Sequence, residues 1–214
     1  MNLQTEEENG PTQQNYTNIV FVFRYGQTRW DKTVAKATQG VFAHVDINIH
    51  DPDMPRKTLF AYSSYMYNPL IYGDMTENEY DCEHDVAISL KVTEDEAKKA
   101  TQYLDELVEK KTLYNYKDIS LCLLPRRLHG MINDVQPDNV QKVFCSQLAV
   151  LVLRKCLSLN AANIELLHTL SELNSRCTSP NFLYYCLKPF GTRVEIGKLC
   201  IGQIQIYNDS NTKI

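Results

Sequence analysis

The stretch from residue 143 to residue 153, VFCSQLAVLVL, joins a cysteine to the longest apolar run of the chain, Leu148 to Leu153. A run of this length is too short to cross a bilayer and is typical of a helix buried in a protein core. We predict a helix from about Val140 to Leu157, with Cys145 near its first turn. Because the partial positive charge at a helix N-terminus favours a thiolate, Cys145 is a candidate nucleophile.

A second reactive side chain lies about a hundred residues upstream. Phe42 to Ile49 (FAHVDINI) has the composition of a strand, and His44 stands near its start. An imidazole that contacts a thiol can accept its proton, so His44 is the candidate base for Cys145. The alternative is a buried thiol and an unrelated strand histidine, because separation along the chain does not establish contact in space.

Hydrophobic periodicity and turn residues predict the remaining elements. The predicted strands are Asn18–Arg24, Thr58–Ser63, Asp85–Val92, Arg193–Ile196 and Ile201–Tyr207, and the predicted helices are Trp30–Thr38, one that begins at the Thr93 capping box and one that begins after Ser179. A proline-containing turn at 51–55 predicts that strands 42–49 and 58–63 form a hairpin. Residues 126–139 are predicted to be loop. Strands and helices do not alternate strictly, so we predict an α+β fold.

Length and charge limit the classes of protein that the chain can belong to. Its 214 residues favour one domain, over residues 17–207, with a disordered tail at 1–16 and a short tail at 208–214. The net charge of −4 and the absence of a basic run give no reason to expect nucleic-acid binding. No apolar segment is long enough for a transmembrane helix.

The seven cysteines are odd in number and lack paired spacing, and the N-terminal residues are too polar for a secretory signal. This pattern predicts free thiols in a reducing, intracellular setting and a protein that is not secreted. Cys82 and His84 are too few ligands for a zinc site, so we expect no metal and no cofactor.

Four short motifs occur in a fixed order along the chain. They are the helix WDKTVAKAT at 30–38 followed by the His44 strand, then YNYKD at 114–118, FCSQL at 144–148 and SPNFLY at 179–184. Together they resemble the circularly permuted branch of the NlpC-type papain-like thiol hydrolases. That branch includes lecithin retinol acyltransferase-like proteins and proteins of large DNA viruses. The resemblance covers roughly Val20 to Leu187.

The resemblance implies a permuted papain-like fold, in which an antiparallel sheet packs against helices and the cysteine begins a helix. It implies that Cys145 is the nucleophile and His44 the base of a cysteine hydrolase, of peptidase or amidase type or acting on acyl esters or thioesters. The implied substrate is a peptide, a lipid or another acyl compound. If the protein is viral, the resemblance implies a location in the host cytoplasm or the virion. The sequence does not assign an oligomeric state.

The third catalytic group departs from the pattern of the family. Relatives carry a polar residue, often Glu or His, on the strand after the histidine, but LFAYSS at 59–64 has no Glu, Asp or His. Ser63 or Tyr62 are candidates to orient His44, and Asp46 and His50 share its face of the strand. The missing carboxylate favours the alternative of a non-catalytic binding or virion structural protein that retains the fold.

The backbone N–H of Cys145, at the helix start, is the first candidate to stabilise an oxyanion. Tyr116 and Gln147 are the candidate side-chain donors, and together with Asp46 they are the candidate substrate contacts.

Overall fold

A computed structural model describes residues 15–49, 58–60, 69–73, 80–81 and 83–196. The elements follow this order: β1 (Tyr16–Tyr25), α1 (Arg29–Ala37), β2 (Phe42–Ile49), β3 (Thr58–Phe60), β4 (Ile71–Gly73), β5 (Val86–Thr93), α2 (Glu94–Glu109), β6 (Leu113–Tyr114), α3 (Tyr116–Ile119), β7 (Lys142–Val143), α4 (Cys145–Cys156), α5 (Ile164–Ser171), α6 (Pro180–Leu187) and β8 (Thr192–Val194). Short 3₁₀ turns occupy Ser120–Leu123, Arg126–Met131, Pro137–Asn139 and Ser175–Cys177.

Six strands form one antiparallel sheet in the order β4-β3-β2-β1-β5-β8. Alternation along β1 sends Ile19, Phe21 and Phe23 into the main core beneath the helices, whereas Val20 and Val22 join a smaller cluster on the other face. The chain therefore has an α+β fold, with helices packed against an antiparallel sheet, as the mixed order of elements predicted.

Helix α4 lies at the centre of the main core. Every residue from Leu148 to Leu153 is fully buried, and the helix packs against α2 and β2. It begins at Cys145, five residues later than predicted, because Lys142–Val143 forms β7 and pairs in parallel with β6. The predicted placement of Cys145 in the first turn is confirmed.

The capping box predicted at the start of α2 is confirmed. The Thr93 side chain accepts the N–H of Glu96, and a carboxylate oxygen of Glu96 accepts the N–H of Thr93. The second carboxylate oxygen accepts the N–H of Ser158 and the Asn163 amide, each at 2.8 Å. Glu96 thus ties α2 to the segment that follows α4.

The start of β2 is fixed by α6, whose Ser179 cap and first-turn proline are as predicted. The Asn181 carboxamide, buried inside α6, accepts the backbone N–H groups of Val41 and Phe42 at 2.9 and 2.8 Å. It also donates to the Phe42 carbonyl at 2.8 Å. These bonds hold the backbone two residues before His44.

Three other elements differ from the sequence prediction. Strands β4 and β6 were not predicted, and the segment 126–139, predicted to be loop, contains two 3₁₀ turns. Strands β2 and β3 pair as the predicted hairpin, at Ile47 with Leu59 and Asn48 with Thr58. The predicted strand at 201–207 and the end of the one at 58–63 lie outside the described residues.

Candidate active site

Cys145 and His44, a hundred residues apart in sequence, interact in the folded chain. Cys145 is the first residue of α4, and His44 lies on β2, against which α4 packs. Their side chains share a hydrogen bond and a charge interaction. The sulfur belongs to a residue only 3% exposed, whereas the His44 side chain is 25% exposed. Solvent therefore reaches the pair from the histidine side.

Asp46 lies directly behind His44 on the same strand. Its Oδ1 is 2.9 Å from Nε2 of His44, and the residue is 2% exposed. Since Nε2 is engaged by the carboxylate, Nδ1 is the ring nitrogen left to face Cys145. The three side chains form a sulfur–imidazole–carboxylate series of the kind found in nucleophilic hydrolases.

The environment of the sulfur favours its thiolate. Burial acts to raise the pKa of Cys145, but the positive charge and hydrogen bond of His44, the backbone N–H of Val45 and the hydroxyl of Tyr114 outweigh it and lower this pKa. For His44, burial acts to lower the pKa, and the negative charges of Cys145 and Asp46 raise it well above the usual value. The two shifts together favour a thiolate–imidazolium pair.

The other free cysteines that the structure describes differ from Cys145. Burial raises the pKa of Cys156 to about 12, and burial also raises the pKa of Cys122, Cys177 and Cys186. Among these five thiols, Cys145 alone has a lowered pKa. The lowered pKa of Cys145 is therefore a property of this site that the other four described thiols do not share.

Tyr114 is the aromatic residue at the sulfur. Its hydroxyl hydrogen-bonds with the Cys145 sulfur and accepts the Cys145 backbone N–H, and burial followed by the charge of Cys145 raises its pKa. The β6–β7 pairing places Tyr114 opposite Val143, two residues before the cysteine. Tyr114 belongs to the YNYKD motif, but the sequence assigned it no role, because the parallel pairing of two-residue strands leaves no periodic signal.

Beyond Asp46, a partly exposed arginine lies between two buried carboxylates. The Arg24 guanidinium Nε lies 4.0 Å from Asp46 Oδ2 and 3.9 Å from Asp85 Oδ2. Asp85 accepts the backbone N–H of Tyr25 at 2.6 Å and that of Asp81 at 3.0 Å. The carboxylate that supports His44 is therefore itself paired with a cation.

The remaining predicted site residues have different positions. Tyr116 packs against Tyr114 in a tilted ring contact, with centroids 4.8 Å apart, so it is one step removed from the sulfur. Gln147 is fully buried and its Oε1 accepts the N–H of Phe144, which places it in the helix cap and not at a substrate surface. Asp46, also considered as a substrate contact, is buried behind His44. Tyr62, Ser63 and His50 lie outside the described residues.

Within the part of the chain that the structure describes, no three His, Cys, Asp or Glu side chains are grouped as a metal site would require. In the same part of the chain, no helix combines the length and apolar character needed to cross a bilayer. Comparison with models of known protein families, with characterised proteins and with solved structures finds no match.

Proposed function

We propose that the protein is a cysteine hydrolase that cleaves an acyl bond, namely an amide, ester or thioester, through a covalent intermediate on Cys145. The observation that supports this proposal most directly is the series Cys145–His44–Asp46, with the pKa of the thiol lowered and that of the imidazole raised. A thiolate beside an imidazolium is the resting form that this chemistry needs.

In the proposed reaction the Cys145 thiolate attacks the acyl carbon and forms a carbon–sulfur bond. The resulting tetrahedral intermediate collapses as the His44 imidazolium gives its proton to the leaving amine, alkoxide or thiolate, and a thioester remains on Cys145. His44, now neutral, removes a proton from water, which attacks the thioester and releases the acid. Asp46 holds the imidazole in orientation and stabilises its positive charge throughout.

The oxyanion of the intermediate would form beside the first turn of α4. The backbone N–H of Cys145 and the Tyr114 hydroxyl interact with each other in the free protein. We propose that both donate to the substrate oxygen when an acyl group is bound, which gives the charge two donors. In this proposal Tyr114 is the side-chain donor to the oxyanion, the role for which Tyr116 and Gln147 were the candidates from the sequence.

The order of elements, with the base on β2 and the nucleophile on the later helix α4, supports a permuted papain-like arrangement as part of this proposal. Two of the sequence motifs that suggested this fold, YNYKD and FCSQL, contain Tyr114 and Cys145. The substrate class remains a peptide or a lipid or other acyl compound. A nucleophilic thiolate needs a reduced sulfur, which accords with the reducing compartment expected from the cysteine pattern.

One observation favours the second candidate, a non-catalytic binding or structural protein. Cys145 is 3% exposed, so little of its sulfur is open to a substrate. This candidate was also favoured because the strand after His44 has no Glu, Asp or His. Asp46, on the histidine strand itself, supplies a carboxylate instead. The two candidates therefore differ in whether a reagent reaches the sulfur.

Iodoacetamide labelling at pH 6, followed by peptide mass spectrometry, tests the proposal. At this pH an ordinary thiol is less than about 1% thiolate, and Cys145 should be alkylated at least about tenfold faster than Cys186. His44→Ala should remove the advantage, because it removes the cation that stabilises the thiolate. His168→Ala, at an exposed helix position, is the matched control and should leave the rate unchanged.

Turnover is then measured with a panel of fluorogenic peptide amides, p-nitrophenyl acyl esters and acyl thioesters. Hydrolysis of any of these that disappears in Cys145→Ser identifies the bond. Equal, slow labelling of Cys145 and Cys186 in the folded chain would overturn the enzymatic proposal and favour the binding protein.

A further inference from the structure

Arg24 lies next to the candidate triad without touching the sulfur. On the sheet it is the direct cross-strand partner of His44, while Asp46 pairs with Val22, so the Asp46 carboxylate lies diagonally across from Arg24 on the same face. On the other side of β1, Phe23 pairs with Val86, and one further step of this register brings Arg24 opposite Asp85. The guanidinium thus stands between two buried carboxylates.

The two oxygens of the Asp46 carboxylate have different surroundings, and Arg24 lies near the oxygen to which no described group donates a hydrogen bond. Its Oδ1 contacts His44 Nε2 at 2.9 Å, but its Oδ2 is buried and has no hydrogen-bond donor among the described residues. A buried carboxylate oxygen without a donor is costly, and it favours rotation of the side chain towards another partner. The positive charge 4.0 Å away opposes that rotation.

Arg24 is itself fixed on its far side. Asp85 Oδ2 lies 3.9 Å from the guanidinium, and the Tyr80 ring lies beneath it, with Cζ 5.0 Å from the centroid. Two backbone N–H groups, from Tyr25 and Asp81, hold the Asp85 carboxylate in place. The guanidinium is therefore held by Asp46 on β2, by Asp85 just before β5 and by the Tyr80 ring.

From this arrangement we infer that Arg24 is a positioning residue, which keeps the Asp46 carboxylate directed at His44. The inference rests on the proposed function for its catalytic meaning, but its structural content does not require that the protein turn over a substrate. Arg24 contacts Asp46, Asp85 and the Tyr80 ring. It acts through Asp46, just as residues behind a metal-binding or catalytic histidine orient that histidine in other proteins.

The sign of the change in His44 distinguishes this role from simple charge repulsion. Among the described residues, the charged groups around the imidazole are Cys145, Asp46 and Arg24, with Tyr114 at the sulfur and Asp85 behind Arg24. If Arg24 only repelled the imidazolium, its removal would make His44 easier to protonate. If Arg24 maintains Asp46, its removal weakens the carboxylate support and makes His44 harder to protonate.

The test is an NMR pH titration of the His44 ring in the full chain, carried out in a Cys145→Ala background so that the thiol does not titrate with it. Arg24→Gln should move the His44 midpoint to lower pH, and Arg24→Lys, which retains the charge, should restore most of the original value. A midpoint that stays constant or moves to higher pH in Arg24→Gln overturns the inference. This readout is independent of activity, so it remains decisive if Cys145 proves unreactive.

In the chain that retains Cys145, iodoacetamide labelling at pH 6 gives the functional readout. Arg24→Gln should slow alkylation of Cys145 about tenfold, and Arg24→Lys should recover most of the rate. Arg154→Gln is the control, because Arg154 also forms a partly buried ion pair, with Asp134 at 2.7 Å, but sits nine residues along α4, about 13 Å from Cys145. If both glutamine variants slow labelling equally, the effect reflects loss of stability and the positioning role is wrong.

Discussion

Nε2 of His44 lies 2.9 Å from Oδ1 of Asp46, a residue two positions further along the same strand. Successive side chains of a strand alternate between faces, so residues at this spacing are the nearest neighbours on one face. The carboxylate that orients the imidazole therefore comes from within β2. A third catalytic group on the neighbouring strand is not required for this geometry.

Asp46→Asn should lower hydrolysis by about 10²-fold or more while the fold is retained, because the amide cannot stabilise the imidazolium as a carboxylate does. The measurement is kcat/KM on an acyl substrate identified by the panel proposed above, with iodoacetamide labelling as a second readout. Asp134→Asn is the matched control. Asp134 also pairs with an arginine, but this arginine is Arg154, which lies about 13 Å along α4 from Cys145. A wild-type rate in Asp46→Asn would show that the imidazole is oriented by another group.

The pH dependence of the site follows from the directions of two pKa shifts. The pKa of Cys145 is lowered, so its thiolate persists as pH falls below the usual thiol range and is lost only below the lowered value. The pKa of His44 is raised, so the imidazolium persists as pH rises and loses its proton only above the raised value. Between these two limits the ion pair is intact.

We therefore expect the ratio of Cys145 to Cys186 alkylation to increase as pH falls from 8 to 6, because the pKa of Cys186 is raised. Hydrolysis should decline at high pH, where His44 has lost the proton that the leaving group needs, whereas alkylation should not. Parallel decline of the two rates at high pH would mean that His44 does not act as the general acid.

Tyr114→Phe removes a hydroxyl that bonds to the Cys145 sulfur and to its backbone N–H. We expect kcat to fall about 10- to 100-fold with little change in KM, since the lost donor acts on the developing oxyanion. The pH midpoint of Cys145 alkylation should rise as well, because the hydroxyl also stabilises the thiolate. Tyr116→Phe is the control, as Tyr116 contacts Tyr114 through its ring. Equal losses in both variants would assign the effect to packing.

Much of the architecture was predictable from sequence because it depends on local periodicity and caps. The alternation in β1, the capping box at Thr93 and the Ser179–Pro180 helix start each specify an element from neighbouring residues. The start of α4 was misplaced because residues 142–143 are drawn into β7 by pairing with residues distant in sequence. Local signals do not contain that pairing.

The candidate site also contains residues that local signals identified and residues that only the tertiary structure revealed. Cys145 and His44 were selected from their chemical types and their positions on predicted elements. Asp46 was identified as sharing a face with His44, but its burial and its pairing with Arg24 depend on the strand register between β1 and β2. Tyr114 required the β6–β7 contact. Each group that supports the pair across strands needed the tertiary structure.

The Asn181 junction, in which the Asn181 side chain bonds to the backbone of Val41 and Phe42, holds the start of β2. A Cβ built on Gly40 would lie 2.0 Å from Oδ1 of Asn181, the atom that accepts the backbone N–H groups of Val41 and Phe42. Gly40→Ala must displace the Asn181 side chain and break these bonds. We expect a loss of about 1–3 kcal/mol in the free energy of unfolding, measured by urea denaturation.

Because the same junction lies next to His44, Gly40→Ala should also slow Cys145 alkylation under conditions where the chain remains folded. Gly130→Ala is the matched control, since a Cβ at that position meets no atom within 4 Å, and it should change neither quantity. If Gly40→Ala lowers stability but leaves alkylation at the wild-type rate, the Asn181 junction supports the fold and does not position His44. Loss of alkylation with the folded fraction unchanged would place α6 among the elements that set the geometry of the site.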